Sequence, residues 1–187
     1  MFLYAQLSKL FMTACDIYDL PVSSADNNSN MDHDLDGFGA NTNFIGDTIS
    51  NIKVPLYRVG SPSSSTIQLK HYEGSTLIQT YNANGSVSWD SLSTSASSPT
   101  DVEWIISPAV EITANTKFGI PGVSSGANQG RSVTVGSGVP SPTIDTVYSN
   151  NNGTSWIVAS WSMCGCITSG GGVSTSDTLL PPPVAWI

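Results

Sequence analysis

Charge is scarce in this chain. Asp, Glu, Lys and Arg make up 11% of its 187 residues, and only six residues are basic. Phosphate recognition draws on clustered Lys and Arg. Six scattered along the sequence form no patch, so neither nucleic acid nor an anionic membrane is expected as a partner. The formal net charge of −8 favours cations instead. Solubility must then come from Ser, Thr, Asn and Gly, a composition shared by extracellular and virion β-proteins and by subunits that bury much of their surface in an assembly.

Cysteine is scarce too. Cys15, Cys164 and Cys166 are too few for a disulfide framework and odd in number. Two apart on one strand, Cys164 and Cys166 would share a face and not bond to each other. Cys15 could bridge to either, but free, half-buried thiols are the preferred expectation. With His33 and His71 the only histidines, no zinc quartet can be assembled.

Long apolar runs are missing, so no segment is expected to span a membrane. The start, MFLYAQLSKLFMTAC, resembles a secretion signal, and Met12-Thr13-Ala14-Cys15 resembles a lipobox. Gln6, Ser8 and Lys9 interrupt the apolar part and there is no basic leader, so it is read as mature sequence. Catalytic motifs are missing as well: there is no Gly-x-Ser-x-Gly elbow, no spaced His pair and no P-loop. Asp101 and Glu103 have the pairing a glycosidase would use, yet they alternate with Val102 and Trp104 and read as outward strand positions. No enzymatic activity is expected.

What is present is the period-two grammar of strands. Over residues 51–81, Ile52, Val54 and Leu56 alternate with Lys53, Pro55 and Tyr57; Ile67 with Leu69, and Leu77 with Tyr81, repeat the pattern. Gly60-Ser61-Pro62 and Glu73-Gly74-Ser75 supply the reversals, predicting three consecutive antiparallel strands. Further runs follow at Val87 to Trp89, Val102 to Ile106, Val110 to Ile112, Phe118 to Ile120, from Val133, and at Ile144 to Tyr148. Asn150-Asn151-Asn152-Gly153 then carries a strong hairpin signal, leading to a long last strand, residues 156–167. The expectation is all-β: a single antiparallel β-sandwich, jelly-roll or Ig-like, over residues 45–167. An N-terminal extension (1–44) and a C-terminal Gly-rich linker with an apolar, Pro-rich tail (168–187) flank it.

Asp32-His33-Asp34-Leu35-Asp36-Gly37 has the spacing of the first half of a calcium loop, in which alternate carboxylates converge and a glycine permits the turn. Asn43 replaces the bidentate Glu at the twelfth position, which excludes an EF-hand proper. A structural Ca²⁺ held by Asp32, Asp34 and Asp36, completed by Asp26, Asn43 or Asp47, is set against a solvated acidic loop. Among the tryptophans, Trp104 reads as core. Trp89, Trp156 and Trp161 invite a carbohydrate reading, with Trp89 and Trp156 near turns and exposed.

The strand ending in Val-Gly-Ser-Pro (59–62), the Ile-Gln-Leu strand (67–69), the segment WIISPAVEITANTKFGI (104–120) and YSNNNGTSW (148–156) together resemble jelly-roll modules found in prokaryotic surface and virion proteins of unknown role. The resemblance covers residues 45–167. It implies a β-sandwich in a surface or particle context and carries over no catalytic residue.

Both ends of the chain are apolar beyond what such a module needs. Phe2, Leu3, Tyr4, Leu7, Leu10 and Phe11 lie in a segment (2–12) that can serve as a donor strand, and Leu179, Leu180, Val184, Trp186 and Ile187 suit a second interface. The expected function is therefore a subunit that polymerises with copies of itself into an extracellular, pilus-like helical fibre, resembling pili built by donor-strand exchange. The alternatives are a tail-fibre or decoration module of a virion and a surface adhesin module that binds cell-surface glycans.

Overall fold

The computed structural model describes residues 18–20, 27–40, 45–135 and 144–169. Its strands are β1 (Tyr18–Leu20), β2 (Asn27–Asn30), β3 (Leu35–Ala40), β4 (Thr48–Val59), β5 (Gln68–Glu73), β6 (Thr76–Asn82), β7 (Thr100–Glu111), β8 (Thr116–Ile120), β9 (Ser124–Ser125), β10 (Asn128–Val135), β11 (Ile144–Ser149), β12 (Ile157–Val158), β13 (Ser162–Met163) and β14 (Gly165–Ser169). They form two antiparallel sheets, one of eight strands and one of six. Among the described residues no helix is long and apolar enough to cross a membrane.

The first sheet contains the order β1-β14-β4-β7, and the second contains β3-β8-β5-β6. Followed along the chain, those eight strands cross from sheet to sheet at every step except the β5–β6 hairpin. This is jelly-roll connectivity, and the Ig-like alternative falls away. The remaining strands elaborate it. β11 and β12 extend the second sheet beyond β3, and β2, β9, β10 and β13 extend the first around β4. The sandwich thus draws β1, β2 and β3 from the residues before position 45.

Alternation decides the core. Ile52, Val54 and Leu56 of β4 are fully buried, and so are Val102 and Trp104 of β7 opposite them. Phe38, Leu69 and Phe118 meet them from the second sheet. The indole N–H of Trp104 donates to the Ile67 carbonyl at 3.4 Å, so the largest core side chain leaves no polar atom stranded.

Two expectations about connections change. β4 and β5 lie in different sheets, so residues 51–81 hold one hairpin and one crossover rather than a three-stranded meander. The long last strand is also broken: β12 pairs with β11 in the second sheet, β13 with β10 and β14 with β4 in the first. On that edge of β4 the partner switches from β14, which reaches Lys53, to β10, which begins at Leu56. Pro55, with no N–H to give a ladder, stands in the fork.

Candidate functional site

Among the described residues the carboxylates of the acidic motif do not converge. β3 begins at Leu35, and strand alternation sends Asp36 inward on the same face as Phe38. Asp36 is 0% exposed, paired across the sheet with Ile120 and Tyr148. Its Oδ1 lies 2.7 Å from Nδ1 of His33, while its Oδ2 has no partner. His33 stacks on Tyr148, centroids 4.1 Å apart. Asp34 instead accepts the backbone N–H of Asn152 at 3.2 Å, and Asp32 is exposed. Among the described residues no three His, Cys, Asp or Glu side chains gather to hold a metal. Asp26 and Asn43 lie outside the described residues. Burial pushes the Asp36 carboxyl up to about 6, against the attraction of His33.

At the other end of the sheet Glu73 closes β5. Its carboxylate accepts the hydroxyls of Thr113 and Thr116, both at 2.6 Å, and faces His71 Nε2 at 3.0 Å. Burial alone would raise its pKa, but the three partners outweigh that and hold it below the usual carboxylate range. His71 stacks on Phe118 at 4.9 Å, and its Nδ1 has no partner. Glu103 is bound by the amides of Asn51 and Asn84 on the outer face, and Asp101 is exposed.

Trp104 is core as expected, but Trp89 and Trp156 are less exposed than expected. Trp89 is buried, because Gly130 on β10 leaves room where any Cβ would strike the indole. Trp156 is half-buried: its ring crosses Gly119, meets Tyr72 edge-on at 5.4 Å and donates its N–H to the Gly74 carbonyl at 3.3 Å. Loop 150–156 thereby roofs the outer face of the second sheet. Trp161 packs half-buried against the core.

Two surface features remain. The first is the pair of edges of the second sheet. Among the described residues β6 pairs only with β5 and β12 only with β11. Each edge carries two adjacent exposed aliphatics: Leu77 (47%) and Ile78 (52%) on β6, Ile157 (46%) and Val158 (62%) on β12. In the first sheet β7 pairs only with β4 among the described residues, and its open side is interrupted by a register shift opposite residues 49–51 and by Pro108, which hinders strand addition. The second feature is a cleft of about 400 Å³ lined by Ser65, Thr66, Gln68, Asn82, Pro121, Val123 and the buried Trp89.

The sequence reading missed both edges. The signal was there: apolar neighbours in a strand cannot both face the core, so Leu77-Ile78 and Ile157-Val158 each had to expose one. The predicted assembly residues Phe2, Leu3, Tyr4, Leu7, Leu10, Phe11, Leu179, Leu180, Val184, Trp186 and Ile187 lie outside the described residues. Cys166 is disulfide-bonded, which overturns the expectation of a free thiol there. It sits on β14 opposite Lys53, between the inward Gly165 and Ile167. No family model, curated protein or solved structure matches the chain.

Proposed function

We propose that this chain is the structural subunit of an extracellular fibre in which the second sheet of one copy meets that of the next, edge to edge. The observation that carries the reading is the exposed aliphatic pair on each of the two opposite edges, β6 and β12. A contact between two different surfaces of the same molecule is heterologous and continues indefinitely unless its rotation closes a ring. The strand-insertion form of the idea needs revision. All eight jelly-roll positions are filled by the chain's own strands, so no strand is missing from the core.

The joint is modest by itself. Fully burying an aliphatic side chain is worth about 1.5–3 kcal/mol, and these four are about half covered already. The gross gain is thus roughly 3–6 kcal/mol before association entropy. A durable fibre would also draw on the apolar residues of segments 2–12 and 179–187. The extracellular setting is supported by the Cys166 disulfide, since such bonds persist in oxidising compartments, and by the low charge.

Because both pairs are exposed, lysines there should leave the fold intact, and mixing tests the heterologous joint directly. Leu77→Lys/Ile78→Lys and Ile157→Lys/Val158→Lys should each abolish filaments in electron micrographs. Mixed one to one, they should form dimers in light scattering, because one intact β6 edge meets one intact β12 edge. Filaments that persist in either variant would sink the proposal.

A further inference from the structure

We infer that the cleft beside Trp89 is a binding site for a neutral saccharide, independent of the fibre joint. Among the described residues its polar lining is hydroxyls and amides: Ser65, Thr66, Gln68 and Asn82 line it and no charged side chain does. A phosphate, carboxylate or amine would have no counter-charge there, whereas uncharged polar groups suit a ligand whose own polar atoms are hydroxyls. At about 400 Å³ the cleft is within the range of small-ligand sites and takes one or two sugar rings.

The hydrogen-bonding groups are also arranged. Gln68 and Asn82 face each other in register at the open end of the β5–β6 hairpin. Gln68 Nε2 donates to Asn82 Oδ1 at 3.3 Å. That bond fixes both amides, leaving Gln68 Oε1 as an acceptor beside Asn82 Nδ2 as a donor. An adjacent acceptor and donor match two hydroxyls on neighbouring ring carbons, one giving and one taking. Ser65 Oγ accepts from Ser63 at 2.9 Å, so its own proton is available to the ligand. Pro121 and Val123, both partly exposed, provide an apolar patch for the C–H face of a sugar ring. The specificity lies in the amide pair.

The test is calorimetric titration of the full chain with cellotetraose, maltotetraose, chitotetraose and mannotriose, and with tetragalacturonate as the charged control. At least one neutral oligosaccharide should bind. Gln68→Ala/Asn82→Ala, at partly and fully exposed positions, should weaken it at least tenfold with unchanged melting temperature and unchanged filaments. Ser65→Phe, which fills the cleft from an exposed position, should block it. Absence of binding by all four neutral sugars, binding of the charged oligomer alone, or binding that survives both variants would overturn the inference.

Discussion

Asp36 and Glu73 are carboxylates beside a histidine at opposite ends of the same strand, β8: Asp36 is paired with Ile120 at one end, Glu73 with Thr116 at the other. Their acidities move in opposite directions. Glu73 has donors on both oxygens; Asp36 has one partner and an oxygen facing nothing. Burial raises the pKa of both, but Asp36 is fully buried and Glu73 only partly, so depth of burial and number of donors together decide which way the group goes. The consequence for stability has opposite signs. Asp36 holds its proton more tightly folded than unfolded, so its penalty is present above about pH 6 and is relieved as the pH falls toward its ordinary value near about 4. Glu73 contributes stability above its ordinary value of about 4.3, and that stability is lost as the pH falls through its lower folded pKa.

The comparison breaks most severely if Glu73 is stripped of its donors. Thr113→Val/Thr116→Val leaves the carboxylate with His71 and solvent alone. Hydrogen bonds to charged groups are worth about 1.5–3 kcal/mol each; with Glu73 partly exposed and the Thr113 bond at the surface, urea unfolding at pH 7 should show a loss of about 1.5–3 kcal/mol in all. Removing the charge at the other end should act in the opposite sense: Asp36→Asn keeps the shape and the acceptor for His33. It should stabilise by up to about 3 kcal/mol at pH 8, by nothing near pH 4, and should flatten the slope between. A destabilised Asp36→Asn at pH 8 would show that the ionised carboxylate is wanted. The gentlest test is His33→Phe, which keeps a ring on Tyr148 and removes the nitrogen. The Asp36 carboxyl should then titrate above 6 in carbon-detected NMR, by about a unit or less.

How far the sequence reveals this molecule depends on the kind of information asked of it. The alternation of Ile52, Val54 and Leu56 identifies a strand and its inner face, and Gly60, Gly74 and Gly153 do turn the chain at positive φ. Alternation says nothing about neighbours, which is why β4 and β5 read as adjacent and are found in different sheets. The acidic motif is ambiguous for a related reason. A spacing of two puts carboxylates on one side of a cation loop and equally on one face of a strand, and only the partners of β3 choose between them. Trp89 is hidden by Gly130, far away in sequence, so no local pattern could have placed it. The amide pair of the cleft was out of reach too, since it depends on the register of a hairpin with a bulge between His71 and Tyr72.

The position of β14 has a temporal meaning. It lies between β1 and β4, taking Tyr18–Leu20 on one side and residues 49–53 on the other. Until Gly165–Ser169 arrives, β1 has no ladder partner among the described residues, and the buried Ile49 and Ile52 stand beside an empty place. Such long-range pairing slows folding. At roughly 5–20 residues per second of synthesis the early strands must wait many seconds for the late one. β14 works as a bolt: a chain cut short of it cannot lock its first sheet, and Ile49 and Ile52 keep an open flank.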